Sequence, residues 1–331
     1  MTSPRLIRWA TLAAALAVAI QVTSPGVAHA AGSTTLTLQA TPSKAKVNEQ
    51  ITLTGQLMFD DTSSSEAQTI TLTRDDPAGS HPLPDAVTGP NGSFSATDTV
   101  AVAGTATYQA SFAGGGGEDP SNDSATVMVT KYASHVSIAV SSHAVRFGTA
   151  VHLTAHLGRG TESRTLGIYA KPDGGSEKLV RQADVGRHRD LRATFAPSKD
   201  TTFIARYDGD PSHRAAHADA GTRVRVVVHA TLTKAVARSG RYHIYRRGAH
   251  APCIVRVLPN HKGFAVRAVL QAFTNGRWHR SAARSFRLNA SSVVGFAVRG
   301  SSKVNFRVHV SLPTHHDHLG DTSPWQYLRF R

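Results

Sequence analysis

Apolar and polar positions alternate with a period of two along most of this chain. Phe203, Ala205 and Tyr207 alternate with Thr202, Ile204 and Arg206, after which Asp208, Gly209, Asp210 and Pro211 break the run. Val224, Val226 and Val228 then alternate with Arg223, Arg225 and Val227. A period of two predicts β-strands, and the intervening residues are turn formers. The same strand, loop and strand occur at 105–112, 114–122 and 126–129, and again at 303–310, 311–323 and 325–330. A unit returning at domain-sized spacing predicts tandem copies of one fold.

Each copy contains about seven short alternating runs bounded by Gly, Pro, Asp, Asn and Ser. They fall at 35–40, 51–57, 69–74, 83–87, 93–100, 105–112 and 125–130 in the first. In the second they fall at 136–140, 150–157, 166–171, 178–183, 191–195, 202–207 and 222–228. The third has 231–236, 253–258, 265–273, 277–281, 292–298, 304–310 and 326–330. GTAVHLTAHL at 148–157 also aligns with NEQITLTGQL at 48–57. Beyond the first thirty residues no stretch longer than a turn or two has helical periodicity. This predicts an all-β chain of three tandem immunoglobulin-like β-sandwiches at 31–131, 132–229 and 230–331. Links at 131–134 and 228–231 are short enough to hold neighbours stiffly.

Tyr207-Asp208-Gly209-Asp210-Pro211-Ser212, followed by a Val-rich last strand, resembles the bacterial Ig-like repeat family of exported, often actinobacterial, proteins. Phe112-Ala113-Gly114-Gly115 with Asp119-Pro120-Ser121 is a looser match. The third copy departs, with Ser311-Leu312-Pro313 at that place. The resemblance covers most of 34–229. It implies a sandwich fold and an extracellular setting, where such repeats act as stalks, spacers, adhesive modules or appendages of enzymes.

Charge separates the copies. Residues 31–131 carry net −7, 132–229 net +5, and 230–331 net +15 with only Asp317 and Asp321 as acids. The third copy holds Arg246, Arg247, Arg256, Arg267, Arg277, Arg280, Arg284, Arg287, Arg299 and Arg307, together with Arg329 and Arg331. Arginines alternating with apolar residues point out of a sandwich, so many are expected to share one face able to hold a polyanion. Anionic cell-wall polymers or an acidic polysaccharide are the expected partners, with a basic surface that serves solubility alone as the alternative. Specific nucleic-acid recognition is not expected. Trp278 and Trp325 offer stacking surface, although a single Trp in such a strand is more commonly core.

Other chemistry is sparse. Cys253, the one cysteine, excludes an internal disulfide and reads as a small buried hydrophobe in CIVRV. His315, His316, Asp317, His318 and Asp321 form the densest donor cluster, and His213, His217 and Asp219 occupy the corresponding loop of the second copy. Adjacent strand residues point apart, so no metal site is assigned, and a metal is not expected to add to stability. Asp208 with Asp210 and Glu118 with Asp119 read as turn caps, and Gly114–Gly117 as a loop. H-E-x-x-H, G-x-S-x-G and a Walker lysine are all lacking, so no enzymatic activity and no cofactor are expected. The expected protein is a secreted or cell-envelope binding or spacer module. A ligand-free stalk and a carbohydrate-binding accessory module are its alternatives.

Arg5 and Arg8, the apolar run 9–22 and Ala28-His29-Ala30 have the order of a secretory signal peptide over 1–30, with no transmembrane segment in the mature chain. N-terminal sequencing of the secreted product is expected to begin at Ala31. A product still starting at Met1 contradicts that reading.

Overall fold

The computed structural model describes residues 32–60, 65–158, 163–186, 190–302 and 304–331, so the signal peptide lies outside the described residues. Among them every helix-or-strand element is a strand, and no helix is long and apolar enough to cross a membrane. The protein is all-β, built of tandem immunoglobulin-like β-sandwiches. Its contacts group it into two compact units. One holds 1–44, 50–98 and 105–128, and the other holds 45–49, 99–104 and 129–331.

Up to Thr130, Thr34–Thr41, Gln50–Phe59 and Ser93–Thr99 lie side by side in one sheet. A second sheet orders Lys44–Lys46, Ser121–Thr130, Gly104–Phe112, Thr69–Asp76 and Gly79–Pro82. Leu36, Leu38, Leu53, Leu57 and Phe94 of the first sheet and Ile70, Leu72, Tyr108, Phe112 and Val127 of the second are all buried. Alternation thus gives each sheet one apolar face. Gly55 leaves room for Phe94, because a Cβ there would lie 2.3 Å from the ring. A polar cluster borders this core. Arg74 pairs with Asp76 at 2.8 Å and Asp98 at 2.6 Å, while the Tyr108 hydroxyl donates to Asp98 at 3.0 Å.

The larger unit has two pairs of sheets around separate buried clusters. In the middle pair, Val136–Val140, Val151–Leu157 and Leu191–Phe195 face Ala144–Arg146, Ala216–Arg225, Thr201–Tyr207, Arg164–Pro172 and Lys178–Val185. In the C-terminal pair, the smaller sheet is Val227–Leu232, Ala251–Leu258 and Val293–Val298. The larger orders Ala237–Ser239, Tyr242–Tyr245, Gln326–Phe330, Asn305–Leu312, Ala265–Thr274 and Arg277–Arg287, with Asp321–Thr322 beside Asn305–Leu312.

Three details differ from the sequence expectation. Short strands at Ala144–Arg146 and Tyr242–Tyr245 run parallel to the last strand of their pair, which carries the chain from one sheet to the other. Three or four residues are too few to show a period. The run 222–228 is also two strands, ending at Arg225 and restarting at Val227. Val226, fully buried in the C-terminal cluster, is the whole link, and Val227–Leu232 runs through the expected boundary at 229.

The third difference concerns the loop motif. Backbone bonds close a tight turn at 115–118, at 210–213 and at 315–318 alike, so the third copy keeps the geometry without the residues. The chain entering each pair of sheets bonds to this turn. Gly32 N–H donates to Gly117 at 2.7 Å, and Tyr132 N–H to Ser212 at 2.8 Å. In the last copy Leu319 N–H donates to Val224 at 2.8 Å and Val226 N–H to Leu319 at 3.0 Å.

In the middle copy Asp210 anchors the turn. It accepts from the Tyr207 hydroxyl and from the backbone N–H groups of Ser212 and His213, at 2.8 and 2.6 Å. Burial opposes its charge, but these donors and the His213 ring prevail and hold the carboxyl down at about 2. Burial first, and then the bond to Asp210, push the Tyr207 phenol up to about 12. A depressed carboxyl stabilises the fold fully above its unfolded pKa near 4, and this contribution is lost as pH falls through about 2. Since 28% of the side chain still meets solvent, Asp210→Asn is expected to cost about 1–2 kcal/mol at pH 7. Urea unfolding of parent and variant from pH 7 to pH 2 checks this, because the difference should close toward the acid end. A constant difference contradicts it.

Candidate functional site

Arg267, Arg280, Arg287 and Arg307 lie on the outer face of the larger C-terminal sheet. Their strand neighbours Val266, Ala268, Phe306 and Val308 point into the core, and cross-strand register places Arg280 opposite Gln271 and Arg287 opposite Ala265. Arg277 and Arg284 pair with Thr274 and Ala268 and so belong to the opposite face of the same strand. Arg256 stands on the smaller sheet between buried Val255 and Val257, and Arg246, Arg247 and Arg299 lie outside the strands. The shared face is therefore narrower than expected, because alternation sends residues of different strands to different sheets.

That face has a dense centre. The Arg307 guanidinium lies 4.5 Å from the Trp278 ring and 4.1 Å from the Trp325 ring, and its Nε donates to Gln271 at 2.7 Å. His309 stacks on Trp325 at 3.9 Å. One strand over, Arg329 sits 3.9 Å from the Tyr242 ring and donates to Asn305, while Arg241 lies 4.2 Å from the Tyr327 ring. Trp278 links the two groups, at 5.2 Å from Phe273 and 5.9 Å from Tyr327. Register explains the assembly: Arg307 is opposite Tyr327, Asn305 opposite Arg329 and Phe273 opposite Trp278. Trp278 and Trp325 are thus half-buried surface residues and not core. Tyr242, Tyr327 and Arg241 escape the sequence reading because no spacing links strands distant in the chain.

Each cation–π contact contributes about 0.5–1 kcal/mol at an exposed site, more when dry, so the rings hold the guanidinium in place. Among the described residues no carboxylate lies within ion-pair distance of any of the ten arginines. Asp321 pairs instead with Arg146 at 3.1 Å, and Asp317 lies in the histidine loop with Lys199 at 3.8 Å. Burial, and then the neighbouring Arg307, lower the His309 pKa, so its ring stays neutral. The arrangement can present fixed, unneutralised guanidinium groups and flat rings to an extended anion.

The remaining candidates lie elsewhere. His213 bonds to Asp210, whereas His217 and Asp219 belong to the strand Ala216–Arg225 and not to the loop. Asp317 and His318 bond to residues 198–200 of the middle pair of sheets, and His315 lies against Phe264. Cys253 is fully buried, and burial pushes its thiol up to about 12, which leaves it unreactive.

The chain matches no protein-family model and no curated protein. Among solved structures it is similar to a tetra-tandem repeat in the extending region of a large adhesion protein, with 16% identity, 90% of this chain and 74% of that one covered, and a TM-score of 0.43. Salmonella α2-macroglobulin is similar over 93% of this chain at 13% identity and a TM-score of 0.24, and the chain spans only 24% of its length. The Yersinia pseudotuberculosis adhesin InvE matches at 15% identity over 60% of this chain and 61% of its own, with a TM-score of 0.30.

Proposed function

We propose that this protein is an exported, non-enzymatic module of three immunoglobulin-like domains that binds an anionic polymer of the cell envelope through the arginine and aromatic face of its third domain. The observation that carries this reading is Arg307 held between Trp278 and Trp325 on an open sheet face. A solubility role needs neither fixed guanidinium groups nor rings beside them. Paired N–H groups suit phosphate or carboxylate, and the rings suit sugar faces, which favours a teichoic acid or polyuronate over a neutral glycan. A stalk without ligand is the second reading, favoured by the bonded junction between the middle and C-terminal sheets.

The test uses the secreted chain, titrated with a polyuronate, a poly(glycerol phosphate) and a neutral glucan at two ionic strengths. Exposed charges are screened over roughly 8–10 Å in ordinary salt, so binding to the anionic polymers is expected to weaken at least tenfold between about 50 and 300 mM salt. Arg307→Ala and Trp325→Ala should each weaken it, while Lys44→Ala in the first unit should not. Equal binding to the glucan, or binding indifferent to salt, refutes the polyanion reading. No binding to any polymer supports the stalk.

A further inference from the structure

The loop 313–320 meets a part of the chain that its own sequence does not announce. His261, just beyond the strand Ala251–Leu258, brings a third imidazole to His315 and His318, and ligand nitrogens of the three lie within 4.8 Å of one another. His261 and His318 are each 4% exposed, so the cluster is interior. Phe264 packs on His315 at 4.7 Å and on His261 at 5.4 Å, shielding one side.

Backbone carbonyls fix two of the rings. His261 Nδ1 lies 2.8 Å from the Pro259 carbonyl and therefore carries the proton, leaving the Nε2 lone pair free. His318 Nε2 lies 2.8 Å from the Ser198 carbonyl, which leaves the Nδ1 lone pair free. Asp317 Oδ1 is 3.0 Å from His315 Nδ1 and 3.1 Å from His318 Nδ1. Those distances suit ion pairs, yet the directions do not suit hydrogen bonds. Both nitrogens of His315 and Nδ1 of His318 are buried without a hydrogen-bond partner among the described residues. Imidazole nitrogens without hydrogen-bond partners thus lie buried close together, an arrangement that costs free energy unless a cation enters.

We propose that His261, His315 and His318, with the Asp317 carboxylate beside the latter two, form a binding site for one divalent ion of the zinc class. Three imidazoles are a borderline donor set that leaves a fourth position open to water, whereas calcium and magnesium require six or more oxygens. Ligand atoms around tetrahedral zinc lie about 3.3 Å apart, for bonds of about 2.0–2.1 Å. The three imidazole nitrogens, which lie within 4.8 Å of one another, need to contract by at most about 1.5 Å, within reach of small ring rotations. The carbonyls of Pro259 and Ser198 act as outer partners that set ring orientation.

The site would also act on the junction. Ser198 belongs to the middle pair of sheets, where Lys199 reaches Asp317 and Asp200 N–H donates to the Asp317 carbonyl at 2.9 Å. An ion would thereby fix the loop, the strand end at His261 and the 198–200 turn together. The sequence expectation that metal adds little to stability supposed a peripheral loop, whereas His261 and His318 of this cluster are buried.

The chelator-stripped full chain, titrated with Zn²⁺ by calorimetry and with Co²⁺ by visible absorption, tests the proposal. One equivalent of Zn²⁺, a four-coordinate Co²⁺ spectrum abolished by Zn²⁺, and a Zn²⁺-dependent rise in Tm are expected. His261→Gln and His318→Gln should each weaken binding by more than about 100-fold and remove the Tm rise, since even outer partners are worth about 10–100-fold. His279→Gln, an exposed histidine on Arg277–Arg287, should change neither. Absence of stoichiometric binding, undiminished binding by the His261 variant, or equal stabilisation by Ca²⁺ overturns the site. If a variant fails to fold, the Co²⁺ spectrum of the unaltered chain decides, and a six-coordinate spectrum overturns the proposal.

Discussion

Everything in this architecture depends on how the backbone is satisfied where the chain enters a pair of sheets. An arriving strand has polar groups with no ladder yet to join, and burying them unpaired is costly. The tight turns at 115–118, 210–213 and 315–318 supply the missing partners each time. The three turns are held by different chemistry. Gly115, Gly116 and Gly117, all with positive φ, form it in the first. Asp210 and Tyr207 anchor it in the second, and in the third His318 and the Asp317 carbonyl bond it to residues 198–200. Turn geometry is thus the fixed quantity, and side chains are free to vary around it.

The junction within the larger unit extends this logic. With Val226 alone between two strands, neither sheet can rotate far without breaking its backbone bonds to Leu319 or exposing Val226. The surrounding contacts are polar: Arg225 to the Gly320 carbonyl at 2.6 Å, Arg146 to Asp321 at 3.1 Å, and Asp200 accepting from Val224 N–H at 2.6 Å. Individually, polar pairs near the surface such as Arg146–Asp321 contribute little. Their role is to fix direction while the apolar clusters on either side supply the stability.

Strand periodicity made the fold class legible, since Val151, Leu153, Ala155 and Leu157 can alternate only on a half-buried strand. Alternation does not say which of two faces is inside when both carry large rings. That ambiguity hid the surface position of Trp278 and Trp325. The Val-rich stretch 224–228 has no Gly or Pro to mark its break, so the link at Val226 was invisible. His261 stands far from the histidine loop in sequence, and only strand pairing and the turn after Leu258 bring it there. Pairwise register, not residue type, is the missing information in each case.

The outermost strand of the larger C-terminal sheet, Arg277–Arg287, has a consequence beyond any ligand. One of its sides has unpaired backbone groups, which in an apolar strand would invite another chain to extend the sheet. Here Arg277, Arg280, Arg284 and Arg287 project alternately to both faces of that border, so a second copy arriving edge to edge meets like charge on either side. A protein made of repeated sheets carries the hazard of pairing with itself at high local concentration, and these four residues guard this border against it.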